Sequence, residues 1–181
     1  MLEKWDTIEK SEPLDFRIFS VARARKRHPL WQRESSFVVL NAPDWVNIIP
    51  LTDDGNIILI RQYRHGTEDF TIEIPGGMVE PGEDHPEAAM RECTEETGYY
   101  SDNKADLLGI TEPNPAFLNN HCHSFLWTNC HKIKEQNLDH NEDIEVIEMP
   151  MTQLRTYIQQ GNIRHSLVLD AFFFYDLKYG L

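Results

Sequence analysis

Over the first half of the chain, apolar residues come in short runs broken by Pro, Gly, Asp and Asn, the pattern of strands joined by turns. Residues 16–27 (FRIFSVARARKR) and 35–41 (SSFVVLN) read as strands of a small N-terminal lobe, punctuated by Pro29 and Pro43. Residues 45–52 (WVNIIPLT) and 56–64 (NIILIRQYR) meet across Asp53, Asp54 and Gly55, a hairpin signal, and residues 70–75 (FTIEIP) lead into a glycine-rich loop. A helix of about three turns follows, because Pro86 suits a first helical turn and Gly98 the position just past the last. Further strands are predicted at 107–110, 123–130 and 144–150, and two helices at 151–161 and 165–179. Strands, then an acidic helix, then strands, then helices fit an α+β chain layered as α/β/α. The expected organisation is a β lobe over residues 1–43 and a main domain over 44–181.

Within the acidic helix, Glu92 lies four residues from Glu96 and three from Glu95, so these carboxylates share a face while Ala89 and Cys93 turn inward. Like charges so spaced repel by roughly a few tenths of a kcal/mol per pair, and a hard divalent cation reverses that cost. Magnesium is the expected resident.

Charge and cysteine usage narrow the function. A chain of 181 residues, 40% hydrophobic, can bury a full core. Its net charge of −13 argues against duplex nucleic acid as a partner, since phosphate binding asks for a basic patch. A polyanionic substrate must then be met by metal and by local arginines. Cys93, Cys122 and Cys130 have no metal-ligand spacing and read as buried thiols. No apolar leader or span-length apolar run is seen, so a cytoplasmic, non-membrane protein is expected. His121 and His123 lack a third zinc ligand at a recognisable spacing and read as ordinary strand histidines. Arg23, Arg25 and Arg27 alternate along one strand face and read as a solvated face, and Trp5, Phe19, Trp31 and Trp45 as core or interface aromatics.

Counted from Gly77, five residues lead to Glu83, seven more to Arg91 and Glu92, then come Cys93, Thr94, Glu95, Glu96, Thr97, Gly98 and Tyr99. This spacing resembles the Nudix box, with Cys93 and Tyr99 standing where aliphatic residues are usual. The flanking PDWVNIIPL, ILIRQYRHG and TIEIPGG are similar to the ADP-ribose pyrophosphatase and nucleoside-diphosphate-sugar hydrolase branch, and Pro115 stands sixteen residues past Tyr99, as a proline commonly does there.

The resemblance implies a Nudix-like α/β/α sandwich with a mixed sheet. It also implies a Mg-dependent pyrophosphohydrolase that cleaves ADP-ribose or a related nucleotide sugar to a nucleoside monophosphate and a sugar phosphate, manganese being a substitute metal. Glu92, Glu95, Glu96 and the Gly76 carbonyl would hold the metal. Arg91 would pair with a box carboxylate and fix its rotamer, an organising role that places it with Glu95 and a base in the catalytic set, and Glu83 would steady the loop or a contact behind the metal ligands. The base falls in LDHNEDIEVIE, with Glu142 first and Asp143, Glu145 and His140 as alternatives. Arg64 would bind the diphosphate, Glu73 the terminal sugar, and Pro115 would complete the substrate set. Arg61, three residues from Arg64, belongs to the opposite strand face. The resemblance further implies a homodimer built through the N-terminal lobe. A broad nucleotide-sugar hydrolase, for instance of GDP-mannose, and a non-catalytic ADP-ribose sensor are the other readings.

Overall fold

Ile57, Ile58, Leu59 and Ile60 are all closed to solvent. Consecutive strand residues point to opposite faces, so this strand must be covered on both. In the computed structural model, which describes residues 2–181, helices provide that cover. The elements in chain order are β1 (Asp6–Lys10), β2 (Leu14–Asp15), β3 (Ser20–Arg27), β4 (Glu34–Asn41), β5 (Trp45–Thr52), β6 (Asn56–Arg64), β7 (Asp69–Glu73) and β8 (Gly76–Met78). Then come α1 (His85–Thr97), β9 (Tyr99–Tyr100), β10 (Asp106–Thr111), β11 (Cys122–Lys132), β12 (Ile144–Pro150), a 3-10 turn (Met151–Gln153), α2 (Leu154–Gln159) and α3 (Ser166–Tyr179). Contacts divide them into two units, one holding residues up to 44 with Glu112–His121, the other Trp45–Thr111 with Cys122–Leu181.

The larger unit is a mixed sheet in the order β10-β11-β5-β6-β12, with β7 paired to β6, β8 to β5 and β9 to β11. Only β5 and β11 run parallel among these pairs. The period of two sorts its core. Val46, Ile48, Phe125 and Trp127 pack against Ala88, Ala89 and Cys93 of α1. Ile49, Ile57, Leu59 and Leu126 pack on the other face against Leu154 of α2 and Val168, Ala171 and Phe172 of α3. Full burial of such a side chain contributes about 1.5–3 kcal/mol, so both helical layers are anchored by apolar burial. The expected layered α/β fold with a mixed sheet is what the chain adopts.

The smaller unit is a four-stranded antiparallel sheet with β3 at its centre, paired to β1, β2 and β4. Arg25 pairs with Glu9 and Glu34, each at 3.1 Å, and Arg27 grips Glu34 through two nitrogens, so two of the three alternating arginines meet carboxylates of neighbouring strands. Trp5 lies edge-on to His28 and Phe37, and His28 stacks on Trp31. Glu112–His121 adds to this unit through bonds from Leu40 N to Phe117 O and from Asn120 Nδ2 to Pro43 O.

Three expected elements differ in detail. The strand expected from residue 16 starts at Ser20, because Arg17 takes φ of 70° and Phe16 N bonds Phe19 O, closing a turn. The expected glycine loop is in part strand β8, whose backbone pairs with β5 at Asn47 and Gly76. The helix expected from residue 151 opens with the 3-10 turn. The short β1, β2 and β9 carry too few alternating positions to announce themselves.

α1 ends where the sequence places its stop. Gly98 has φ of 75°, and a Cβ built there would lie 2.1 Å from the Lys134 carbonyl oxygen. Gly98→Ala therefore combines left-handed strain with a backbone clash and is expected to cost more than about 1 kcal/mol, measured by urea unfolding.

Candidate active site

α1 aims its acidic face at β8. Glu96, 4% exposed, accepts the Gly76 N–H at 3.0 Å. The two glycines of β8 have separate steric reasons. A Cβ on Gly76 would lie 2.3 Å from the Val46 carbonyl oxygen of β5, and one on Gly77 would lie 2.3 Å from Glu92 Oε1. Glycine at 76 thus lets β8 lie on β5, and glycine at 77 makes room for a carboxylate of α1.

Arg91 gathers the acids. Its Nε and Nη2 bond both oxygens of Glu83 at 2.8 and 3.0 Å, and its Nη1 bonds Glu92 at 3.0 Å and Glu95 at 3.1 Å. A planar guanidinium, with five donors in a fixed fork, makes these four bonds where an ammonium has only three donors. Glu83 also accepts the Glu80 N–H at 3.1 Å, which ties the turn before α1 to the helix. The bond from Arg91 holds the Glu83 carboxyl below its ordinary value, and the bond to Glu83 first among its contacts raises Arg91. Glu92 and Glu96 move the other way. Burial lifts both, Arg91 opposes for Glu92 and the Gly76 N–H for Glu96, and neighbouring carboxylates, Glu142 among them, add to the rise. A buried and a partly buried carboxylate pushed toward their neutral form, with Arg91 shared among three acids, make an all-oxygen donor set that suits a hard divalent cation.

A second acid–base pair stands on β6 and β7. Arg64 Nε and Nη2 bond the two oxygens of Glu73 at 2.8 and 2.6 Å, and Thr71 Oγ1 donates to Glu73 at 2.5 Å. His165 Nδ1, at the N-cap of α3, lies 3.2 Å from the same carboxylate. Burial works to raise Glu73, but the bond from Arg64, the close approach of His165, the Arg64 charge and the bond from Thr71 outweigh it and hold the carboxyl well below its usual range. Arg64 is raised by its bond to Glu73 first, and the charges of Glu96 and Glu142 add, so it stands within electrostatic reach of the α1 acids. Arg61 points elsewhere. It pairs with Glu145 at 3.2 Å and lies over the Phe70 ring, the opposite-face arrangement that a spacing of three requires.

The loop between β11 and β12 is tied to the end of α1. Gln136 Nε2 bonds Glu96 O at 2.6 Å and Ile144 O at 2.9 Å, and Asn137 N bonds Glu95 O at 2.8 Å. These bonds satisfy helix-end carbonyls and bring in the turn where Glu142 accepts the Asp139 N–H at 2.9 Å. Glu142 acts on Glu92, Glu96 and Arg64 by its charge, whereas Glu145 is engaged with Arg61. Pro115 lies in the smaller unit, in a turn where Leu118 N bonds Asn114 O. His121 pairs with Asp44 at 3.6 Å, and His123 stacks on His85 with ring centres 3.8 Å apart. Cys93, Cys122 and Cys130 are buried thiols, with burial pushing Cys130 up to about 12. Sequence reading passed over Thr71, Gln136 and His165. Thr71 lies two residues before Glu73 on the same face of β7, a placement the strand period carries, whereas Gln136 and His165 have no local signal and meet partners distant in sequence.

Arg91→Ala is expected to lower stability by roughly 2 kcal/mol through lost charge-assisted hydrogen bonds, and Arg91→Lys to recover only part, since the charge returns without the fork. Urea unfolding of both variants without metal measures it.

Comparison with known proteins accords with this geometry. The model of the NUDIX domain matches residues 42–172. The ADP-ribose pyrophosphatase of Bacillus subtilis (strain 168) is 29% identical over 144 residues, covering 79% of this chain and 77% of that protein. The GDP-mannose pyrophosphatase of Cronobacter sakazakii is 30% identical over 120 residues, 61% of each chain. A crystal structure of an ADP compounds hydrolase superimposes with a TM-score of 0.85 at 20% identity, covering 98% of this chain and 95% of its own. With its carboxylate helix in place and most of its length matched by the family model, the chain belongs to the NUDIX family and is a Nudix hydrolase.

Proposed function

We propose that the chain is a magnesium-dependent pyrophosphohydrolase that cleaves ADP-ribose, or a related nucleoside diphosphate sugar, to a nucleoside monophosphate and a sugar phosphate. The observation that carries this reading is the Arg64–Glu73 pair beside the α1 acids: a cation for a diphosphate and a carboxylate for sugar hydroxyls, next to a divalent-cation donor set. The name of the Bacillus relative points the same way.

Glu92, Glu95, Glu96 and the Gly76 carbonyl would hold the magnesium, with manganese as a substitute. When bound, the metal neutralises charge on phosphate oxygens and acidifies a bound water. The remaining work falls to the chain. Arg64 orients the diphosphate with the part of its guanidinium that Glu73 leaves open. Glu73 receives hydroxyls of the terminal sugar. Arg91 holds Glu92 and Glu95 in place. Glu142, in a turn tethered to α1 through Gln136 and Asn137, accepts the proton of the attacking water at its carboxylate. The engagement of Glu145 with Arg61 favours Glu142 over it.

The N-terminal sheet is proposed as the dimerisation element. Leu14, Phe16, Ile18, Trp31 and Val38 are each more than half exposed, apolar surface of the kind a second copy covers. A cytoplasmic location is part of the proposal. Separately, among the described residues no helix is long and apolar enough to cross a membrane. GDP-mannose is the second substrate reading, favoured by the Cronobacter relative.

Phosphate release coupled to a phosphatase, across ADP-ribose, GDP-mannose and UDP-glucose, tests the substrate. Hydrolysis confined to ADP-ribose is expected, and comparable rates on several sugars would make the enzyme a broad nucleotide-sugar hydrolase. Glu142→Gln is expected to cut kcat by about 10²–10⁴-fold with magnesium affinity intact, and turnover equal to wild type would discard Glu142 as the base. Glu92 and Glu96, raised by burial, keep protons in the folded metal-free chain that the unfolded chain gives up. Stability without metal therefore falls as pH climbs from the ordinary glutamate value of 4.5 through the raised ones. Magnesium must displace those protons, so its gain in Tm grows as pH climbs above the ordinary glutamate value, as read by differential scanning fluorimetry.

A further inference from the structure

Glu73 is 3% exposed, and three side chains besides the backbone close on it. Arg64 takes one oxygen with Nε and the other with Nη2, and Thr71 donates to the oxygen shared with Nε. These donors come from β6 and β7. The third side chain, His165, arrives from the N-cap of α3 and meets Oε2 at 3.2 Å. His165 Nδ1 is closed to solvent and has no well-directed hydrogen bond among the described residues, so this oxygen is the polar group it faces. The neighbouring Arg164 is occupied with Asp69 at 2.9 Å.

We infer that His165 is a positioning residue for substrate binding: from the start of α3 it fixes the Glu73 carboxylate, and through it the direction of the Arg64 guanidinium. The inference rests on the proposed use of Arg64 as the diphosphate ligand. The terminal carboxylate torsion of a glutamate is broad, so the group swings unless both oxygens are held. Arg64 and Thr71 hold Oε1, while Oε2 has Arg64 and His165. Without His165, Oε2 is held by Arg64 alone, and Glu73 with Arg64 can swing about the remaining Thr71 bond at Oε1. With it, Arg64 keeps Nε and Nη2 on Glu73, and Nη1, which carries no bond among the described residues, is left to face a phosphate. The positive end of the α3 dipole lies on the same side and favours the buried anion.

The experiment compares wild type, His165→Leu, His165→Asn, Arg64→Ala and the His165→Leu/Arg64→Ala double variant. Affinity for inorganic pyrophosphate with magnesium is measured by calorimetry, and kcat and KM with ADP-ribose. His165→Leu is expected to weaken pyrophosphate about tenfold and to raise KM similarly while kcat changes less than about twofold. His165→Asn, whose amide nitrogen can reach Oε2, restores both. In the Arg64→Ala background, His165→Leu adds no further loss. An unchanged pyrophosphate affinity in folded His165→Leu, or a loss that adds to that of Arg64→Ala, overturns the inference. If His165→Leu does not fold, Asn against Gln at the same position carries the test, with Asn binding pyrophosphate like wild type and Gln weaker; equal affinities overturn it. Wild type that leaves ADP-ribose intact overturns the functional reading alone, and the pyrophosphate affinities still decide the role of His165.

Discussion

The close approach of α1 to strand β8 is the constraint on which the site depends. A Cβ at Gly77 would collide with the Glu92 carboxylate, and one at Gly76 with the backbone of β5. Two adjacent glycines thus let a strand lie against its neighbour while a helix presses carboxylates onto it. The approach fixes the acids. Glu96 is buried and bonded to the Gly76 N–H, and Glu92 sits in the space that Gly77 leaves. α1 can hold this position because its opposite face, Ala88, Ala89 and Cys93, is packed into Phe125 and Trp127. Small side chains on that face allow the helix to come near the sheet, and apolar burial there offsets the crowding of acids on the other.

Charge at the site is arranged by exchange between acids and arginines. Arg91 is shared by Glu83, Glu92 and Glu95, and Arg64 is gripped by Glu73. Each guanidinium is thereby fixed in direction before any ligand arrives, which is what preorganised binding of a polyanion by an acidic protein requires. The two sets differ in what they leave behind. Around Glu73 hydrogen bonds prevail over burial and the carboxylate stays ionised. Around Glu96 burial and like charge prevail, and the carboxyl rises toward neutrality. That imbalance is what a bound divalent cation would correct, and it sets the proposed metal ligand apart from the proposed sugar contact.

The remaining elements hold this arrangement together from outside. Gln136 and Asn137 bond the carbonyls at the end of α1 and so bring the Glu142 turn alongside the helix they cap. β6 delivers Arg64 on one face and Arg61 on the other, and Arg61 is consumed by Glu145 and Phe70. α3, whose main task is to cover the sheet with Val168, Ala171 and Phe172, contributes His165 at its first turn. A layer that exists for burial thus also reaches the polar site.

The carboxylate helix, its start near Pro86 and stop at Gly98, the strands β5, β6, β11 and β12, and the family were legible in the sequence. Those features depend on residues close along the chain: a 3.6 or 2.0 period, a cap, a turn, a spacing of acids. The short β1, β2 and β9, the pairing of β8 with β5, the joining of Glu112–His121 to the first unit, and the partners Gln136 and His165 were not legible. So too the sharing of Arg91 among three acids and the mutual grip of Arg64 and Glu73, each of which had been assigned a partner or ligand singly. Local spacing determines which face a side chain occupies, because backbone geometry alone sets it. Which side chain from another element arrives opposite that face is decided by packing of the whole core, and no local pattern encodes it.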